Sequence, residues 1–565
     1  MPVKHSLLTK SCLSLSCYRR LIFYFQSIYS TMKLSLHVFL TCIQSIVLFF
    51  NLSAQTPTVG IVYESSVAFD GYTLFTPEKN TNVYLVDNCG QLVNEWTFLE
   101  QPGATCYLLE NGNLLRAGSQ SLEIRAWDNS LIWSYAMNAN GYGQHHDIEP
   151  LPNGNILCIL GDSYSEMEAV EAGRIPGTTD GNFRLDQVIE LEPLGTNAAN
   201  LVWEWKFMDH LVQDFDNSKA NFGVIADHPE LIDVNFNNGF NSDYTHVNAI
   251  DYNAELDQII VSARNLSEIY VIDHSTTIIE AAGGTGGNFG LGGDILWRWG
   301  NPQVYDQGDF SDQKIFMQHD ARWVEPGYLD EGKISVFNNE GDGSGDYSAV
   351  HLIEPEIVSS SYTITGGKFN PIDFDWSWDG NILGTVVVEG KKSGAHGLPN
   401  GNFIICETSK GRISEISKTG ELLWSYVNPS GFSISPQYAI PSLFNTLFRG
   451  EKYPANYAGL VGQDLSPIAT IENENPLSDI CLAALDVAEI GISWPEVINP
   501  VRNNIIEYSK DIPVDLIELC DLQGRVIFKT ESKKDIELKP IIDSGTYFLN
   551  FRKGERHHSV QLLVP

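Results

Sequence analysis

His246, Asn248 and Arg264, in the stretch DYTHVNAIDYNAELDQIIVSAR (243–264), are residue types that a purely structural pair of strands does not need. His246 and Asn248 stand two apart at the start of a strand, and side chains two apart on a strand share a face. A turn near Asn253 to Asp257 sends the chain out and back, so Arg264 is expected at the same rim as His246. An imidazole, an amide and a guanidinium gathered in one place can hold an anion, and an imidazole can also move a proton or attack an electrophile. Further histidines recur in the same kind of place: His146 opens HDIEPL, His319 opens HDARWV and His396 opens HGLPNG.

The elements that position these residues announce themselves by repetition. A tryptophan followed two residues later by an aromatic or a second tryptophan closes an apolar run at Trp96, Trp133, Trp203, Trp297, Trp376 and Trp424. Ahead of these tryptophans come strand, Asn-Gly turn, strand segments such as HHDIEPLPNGNILCIL, TCYLLENGNLLRAG and GLPNGNFIICE, and then a second hairpin such as RISEISKTGELLWSY. Four strands per unit, six times over, predict an all-β fold, a six-bladed β-propeller. The first unit opens with only a second hairpin, NVYLVDNCGQLVNEW, and QYAIPSLFNTLF after Trp424 is the candidate first hairpin, so the two chain ends are expected to share one blade.

In a propeller the first strand of each blade is innermost and its start faces the central channel, which is where His146, His246, His319 and His396 fall. QHHD and QHD align, making His146 the channel residue; His145, beside it on the strand, is expected to point the other way. Asn338 and Asn339, in ISVFNNEGDG, return near His319 by the same out-and-back path. Several imidazoles, an amide and a guanidinium are costly to desolvate without a ligand. A metal is a competitor, but Arg264 adds positive charge beside it and only Asp147 and Asp320 are near in sequence to offset that, so an anion fits better and no metal or cofactor is expected.

The whole chain sets outer bounds. Its 565 residues carry 71 acidic against 35 basic side chains, a formal net charge of -36, which argues against nucleic acid or an anionic membrane as partner. Residues 1–54 read as an upstream segment followed from Met32 by a secretory signal, with an apolar run from Phe39 to Phe50 and small residues Ser53 and Ala54. The nine cysteines include no CxxC pair, and their pairing is left open. The propeller is expected over 55–460, a polar linker over 461–496 and a small β-sandwich over 497–565.

At these residues the sequence resembles the bacterial aryl-sulfate sulfotransferases, over roughly Gly71 to Leu460. The motifs are GYTLFTPEKNTNVYLVDNCGQLVNEW, HHDIEPLPNGN, HVN with the arginine of VSAR, MQHDARW and LFRGEKYPANYAGL. The resemblance implies transfer of a sulfuryl group from a phenolic sulfate ester to a phenolic acceptor without a nucleotide donor, through a sulfohistidine on His319. It also implies that His246, Asn248 and Arg264 bind the sulfate and assist the leaving group, and that His146 is a further active-site histidine. His145, Asn338 and His396 are further candidates for contact with substrate. The family's separate β domain ahead of the propeller has no counterpart in the roughly 16 residues between Gln55 and Gly71, and the oligomeric state stays open. NPVRNN, DLQGRV and SGTYFLNF resemble the C-terminal sorting domain of type IX (Por) secretion, which implies a secreted or cell-surface protein that meets that machinery. The competing readings are a non-catalytic propeller that binds anionic or sulfated ligands, and a metal-dependent propeller lyase or hydrolase.

Overall fold

In the computed structural model, residues 57–240, 242–441 and 444–472, Cys481 and segments between 505 and 564 are described. The signal sequence expected over 1–54 and most of the 461–496 linker lie outside the described residues. The chain is nearly all β and divides into two compact units, one taking in residues up to Tyr63 with Phe69–Asn475, the other Glu64–Ala68 with Pro476–Pro565. Among the described residues no helix is long and apolar enough to cross a membrane.

The first unit is a succession of antiparallel four-strand meanders. The second meander runs Pro102–Leu108, Leu114–Gly118, Ser121–Arg125 and Leu131–Ala136, and the third Gln144–Pro150, Ile156–Ser165, Asn182–Leu194 and Ala198–Lys206. A parallel bridge between Ala104 and His146 joins these two edge to edge. The fourth runs Val247–Asn253, Gln258–Ala263, Glu268–Asp273 and Trp297–Trp299; the fifth His319–Trp323, Ile334–Asn338, Ala349–Ile353 and Trp376–Trp378. The sixth runs Gly394–Gly397, Phe403–Glu407, Arg412–Ile416 and Leu422–Val427, with Gly60–Glu64 added beyond its last strand.

The first sheet joins the two ends of this unit, as the sequence suggested, but by a different segment. Leu447–Pro454 pairs antiparallel with Gly71–Pro77, which continues into Asn82–Val86 and Gln91–Thr97. Only Leu447 and Phe448 of the expected closing hairpin QYAIPSLFNTLF are in that strand; Tyr438 and Phe444 adopt left-handed backbone and lie outside the strands. One returning strand completes the sheet instead of two.

The repeated tryptophans have a physical job. Trp96 donates its indole N–H to Ala126 O in the second sheet (2.9 Å), Trp133 to Ala198 O in the third (2.8 Å) and Trp203 to Thr276 Oγ1 beyond the third strand of the fourth (3.0 Å). Trp297 donates to Asn370 O ahead of the fifth sheet's last strand (2.8 Å), Trp376 to Lys418 O in the sixth (3.0 Å) and Trp424 to Asn88 O in the first (2.8 Å). Each sheet is thus bonded to its successor in chain order and the last to the first. Apolar layers fill the spaces between: Leu115, Ala117 and Trp133 of the second sheet pack with Ile148, Cys158 and Ile189 of the third, and Phe337 and Val350 of the fifth with Phe403 and Ile405 of the sixth. Burial of such side chains, at about 25 cal/mol per Å², is what holds the sheets face to face.

In the second unit, Val526–Thr530, Leu516–Cys520, Gly545–Lys553 and Arg556–Val564 form an antiparallel sheet, with a further pair between Ile505–Ile506 and Ile536–Glu537.

Candidate active site

The first strands of several sheets converge on one guanidinium. Arg449, on the returning strand Leu447–Pro454, ion-pairs with Asp147 of the third sheet and with Asp320 Oδ1 of the fifth (3.1 Å), and donates to Asn248 O of the fourth (2.9 Å). Beside it Arg322 bridges Asp320 and Glu451. Removing one partner from such a buried network costs about 3–5 kcal/mol, so it fixes where the neighbouring histidines stand.

At this convergence the backbone departs from regular strand. His146 (φ 57°), His246 (φ 50°) and Asp320 (φ 55°) are left-handed, and the pairing slips between Val247 and Ile250 and between His319 and Arg322. Such bulges re-aim side chains next to functional sites. The simple two-residue alternation assumed for His246 and Asn248 is therefore broken at its first member. The out-and-back path is as expected: Asn253 pairs with Gln258, Val247 with Ala263, and Arg264 N–H donates to His246 O (3.2 Å).

His319 is 1% exposed. Its Nδ1 stands 2.8 Å from Asn339 Oδ1 and 3.2 Å from Met317 O, both acceptors, so Nδ1 carries the proton. Asn339 cannot turn over, because its Nδ2 donates to Glu389 O (2.7 Å) and Lys392 O (2.9 Å). The lone pair is then on Nε2, which accepts the Lys392 N–H (3.0 Å). Burial pushes the imidazole well below its usual range; the Asn339 bond opposes this, and the charges of Arg264, Arg449 and His246 reinforce it. His319 is neutral at neutral pH with a defined tautomer.

Arg264 is half-buried, its Nη1 on Asn265 Oδ1 (2.8 Å) and its guanidinium 5.9 Å from the centre of the Phe240 ring. Among the described residues it has no ion pair, in contrast to Arg449, Arg322 and Arg298. His246 holds Asp243 Oδ2 through Nδ1 (2.6 Å), and Asp243 in turn binds Arg184 (2.6 Å). Burial alone would raise the Asp243 carboxyl, but the bonds and charges of His246 and Arg184 outweigh it and hold it below the usual range. Asn248 Nδ2 donates to Gln318 O (2.7 Å), while its buried Oδ1 has no donor among the described residues.

His146 lies between its neighbours, its ring centre 4.9 Å from those of both His145 and His246 and 5.8 Å from Phe448. Burial first, then the imidazoles of His145, His246 and His319 and the guanidinium of Arg449, push it well below the ordinary imidazole range. His145 faces back from it towards Asp186, with Nε2 3.0 Å from Asp186 Oδ1.

Two of the sequence candidates stand apart. Asn338 spends its amide on Phe316 N–H (2.8 Å), Gly341 O (2.7 Å) and His351 (3.3 Å), which pins the turn, and the neighbouring Asn339 is the one that reaches His319. His396 is 8% exposed, 3.7 Å from Glu451, and burial outweighs that carboxylate in lowering it. It belongs with the Arg322–Glu451 pairs. Sequence reading passed over Asp186, which sits in NFRLDQVIELE with no motif around it, and Arg449, which it met only as part of LFRGEKYPANYAGL.

No curated protein matches this chain. Solved structures with related coordinates include a protein of unknown function from Bacteroides caccae (13% identity, 63% of this chain and 93% of that one, TM-score 0.35). They also include a catalytically inactive virginiamycin B lyase from Staphylococcus aureus with quinupristin (10%, 66% and 86%, TM-score 0.31) and Hsv2 of Kluyveromyces lactis (10%, 63% and 83%, TM-score 0.30). Likenesses this low carry no argument. The match that decides lies in the sequence: residues 48–362, more than half of the chain, fit the arylsulfotransferase (ASST) family and include His145, His146, His246, Asn248, Arg264 and His319. The chain belongs to the arylsulfotransferase family, and is a sulfotransferase-type enzyme for phenolic sulfate donors and phenolic acceptors.

Proposed function

We propose that the six meanders are the blades of a six-bladed propeller and that His319, at its centre, carries the sulfuryl group as a sulfohistidine between donor and acceptor. The observation that carries this reading is the state of His319: buried, neutral, and with Nδ1–H locked on Asn339 so that Nε2 holds the lone pair. Nε2 attacks sulfur, the bond from sulfur to the phenolic oxygen breaks, and the electron pair leaves on that oxygen. The Lys392 N–H that caps Nε2 gives way in this step.

Sulfuryl transfer, like phosphoryl transfer, spreads charge over peripheral oxygens, so fixed positive groups supply much of the catalysis. Arg264, with no carboxylate of its own among the described residues, and His246, oriented by Asp243, hold those oxygens. Asn248 lines the same place. The departing phenolate, whose conjugate acid has a pKa of about 10, takes a proton from His146, which recovers it from the acceptor phenol in the second half of the cycle. No metal or cofactor enters this sequence of steps. The C-terminal unit and the leader are proposed to serve export as a type IX cargo, tested by whether the secreted protein lacks both.

Activity is tested by release of nitrophenol from 4-nitrophenyl sulfate with and without phenol. Release that requires phenol, with phenyl sulfate formed, is expected. Release that needs only water and stops with a chelator would replace the transferase by a metal-dependent hydrolase, and no release at all would leave an anion-binding propeller.

A further inference from the structure

His146 cannot comfortably hold the proton that the reaction asks of it. Burial and the groups around it, namely the imidazoles of His145 on its own strand, His246 from the fourth sheet and His319 from the fifth and the guanidinium of Arg449 from the returning strand, all disfavour an imidazolium at that position. Asp147, the following residue, is already paired with Arg449 and accepts Tyr107 Oη–H (2.9 Å). A proton taken from a phenol therefore needs somewhere else to rest.

The neighbouring contacts supply that place. His145 Nδ1 stands 2.6 Å from His146 Nδ1, a distance at which one nitrogen donates and the other accepts. On its far side His145 Nε2–H donates to Asp186 Oδ1 (3.0 Å). Asp186 is 2% exposed and acts as acceptor throughout: its Oδ2 takes the Thr245 hydroxyl (2.7 Å) and the Val247 N–H (2.6 Å). Those two residues flank His246, so one carboxylate ties down both the His145–His146 pair and the backbone that carries His246.

We propose that Asp186 and His145 are positioning residues that store, on His145, the proton that His146 exchanges with the phenols. The proposal rests on the transferase reading given above. In the charged state His145 bears both ring protons, donates Nδ1–H to His146 Nδ1, and His146 carries its single proton on Nε2. When His146 Nε2–H passes to the departing phenolate, the His145 Nδ1 proton moves to His146 Nδ1 and the pair becomes neutral. The acceptor phenol reverses this: its O–H bond breaks onto His146 Nε2 as its oxygen bonds sulfur and the bond from sulfur to His319 Nε2 breaks. In both states Asp186 keeps its bond to His145 Nε2–H, and in neither does His146 become an imidazolium. The positive charge sits beside the carboxylate; the other charged groups on the strand that carries Asp186 are Arg184, paired to Asp243, Glu190, bonded to His274, and Glu192, bonded to Asn200.

The test compares wild-type enzyme with His145→Gln, which can bond Asp186 but cannot carry the proton, and with Asp186→Asn. Each is assayed with phenyl sulfate and 4-nitrophenyl sulfate as donors across pH, with thermal melts to confirm folding. The His145→Gln variant is expected to lose about 10²-fold or more in kcat/KM with phenyl sulfate, the usual range for one acid–base group, and far less with 4-nitrophenyl sulfate, whose phenolate leaves without help. For Asp186→Asn, loss of the carboxylate lowers the affinity of His145 for its proton. The limb of the donor profile that needs the charged pair is then expected to move to lower pH. Equal losses with both donors and an unmoved profile would reduce the pair to a structural role and overturn the storage proposal while leaving wild-type transfer intact. Absence of transfer in the wild-type enzyme would overturn the transferase reading and the proposal together.

Discussion

His319 holds its lone pair on one named nitrogen and its proton on the other, where a neutral imidazole in water exchanges the two tautomers. Asn339 secures the second, and burial among positive groups secures the first by keeping the ring neutral. Because the imidazole is pushed below its usual value near 6.5, the nucleophile stays uncharged as the pH falls through that value, so in single-turnover sulfurylation no loss of rate assignable to His319 is expected there. His319→Ala is expected to cut transfer by at least about 10⁴-fold without loss of fold, as judged by circular dichroism. Asn339→Ala frees the ring to turn, and a misaligned nucleophile is expected to cost about 10²-fold, read as kcat with little change in KM. A folded His319→Ala enzyme with near wild-type turnover would remove the residue from the mechanism.

At the level of elements, the bulged first strands do the positioning and the tryptophans set the frame. Trp96 is fully buried and its N–H satisfies Ala126 O in the next sheet. Trp96→Phe removes that bond and part of the ring, and is expected to cost about 2 kcal/mol, measured by chemical denaturation, with activity in the remaining folded protein unchanged. The tryptophans were legible in the sequence because each ends its own apolar run and needs no distant partner to be recognised. Arg264 was legible through strand geometry, since a hairpin must return to where it began, and His319 through repetition, since QHD restates the QHHD of His146. The closing strand was misread: QYAIPSLFNTLF has the apolar content of a hairpin, but left-handed Tyr438 and Phe444 break it, and LFRGEKYP, with three charged residues, takes the inner position because Arg449, Glu451 and Lys452 all find buried partners there. Asp186 was invisible for the complementary reason, as its three partners lie about 40 and 60 residues away in sequence.

On the scale of the whole molecule, the charge of -36 leaves its mark inside as well as on the surface. Glu149, Asp251 and Glu325, on or just past the first strands of the third, fourth and fifth sheets, all have carboxyls raised above the ordinary range by burial first, with nearby carboxylates adding to it (Asp251, Asp147 and Glu325 for Glu149, Glu325 for Asp251, Glu451 and Glu110 for Glu325) and Arg322 opposing. A carboxyl whose folded pKa is raised holds its proton in the folded chain at pH values where the unfolded chain has lost it. Stability from that group is therefore present near pH 4 and is lost as the pH rises through the folded value. Asp251→Asn, which can still accept the Trp323 N–H that Asp251 Oδ2 takes (2.7 Å), is expected to raise Tm by a few degrees at pH 8 and by nothing measurable near pH 4. An equal gain at both values would mean that the carboxylate is not under strain.

The central claim is that one histidine carries the sulfuryl group across from donor to acceptor. The most direct measurement is to mix enzyme with 4-nitrophenyl sulfate without acceptor, quench under alkaline conditions and map the mass added to its peptides. The account predicts one SO₃ on the peptide that contains His319, discharged when phenol is added before the quench and absent from His319→Ala. Transfer that proceeds with no adduct, or with the adduct on His146 or His246, would contradict it.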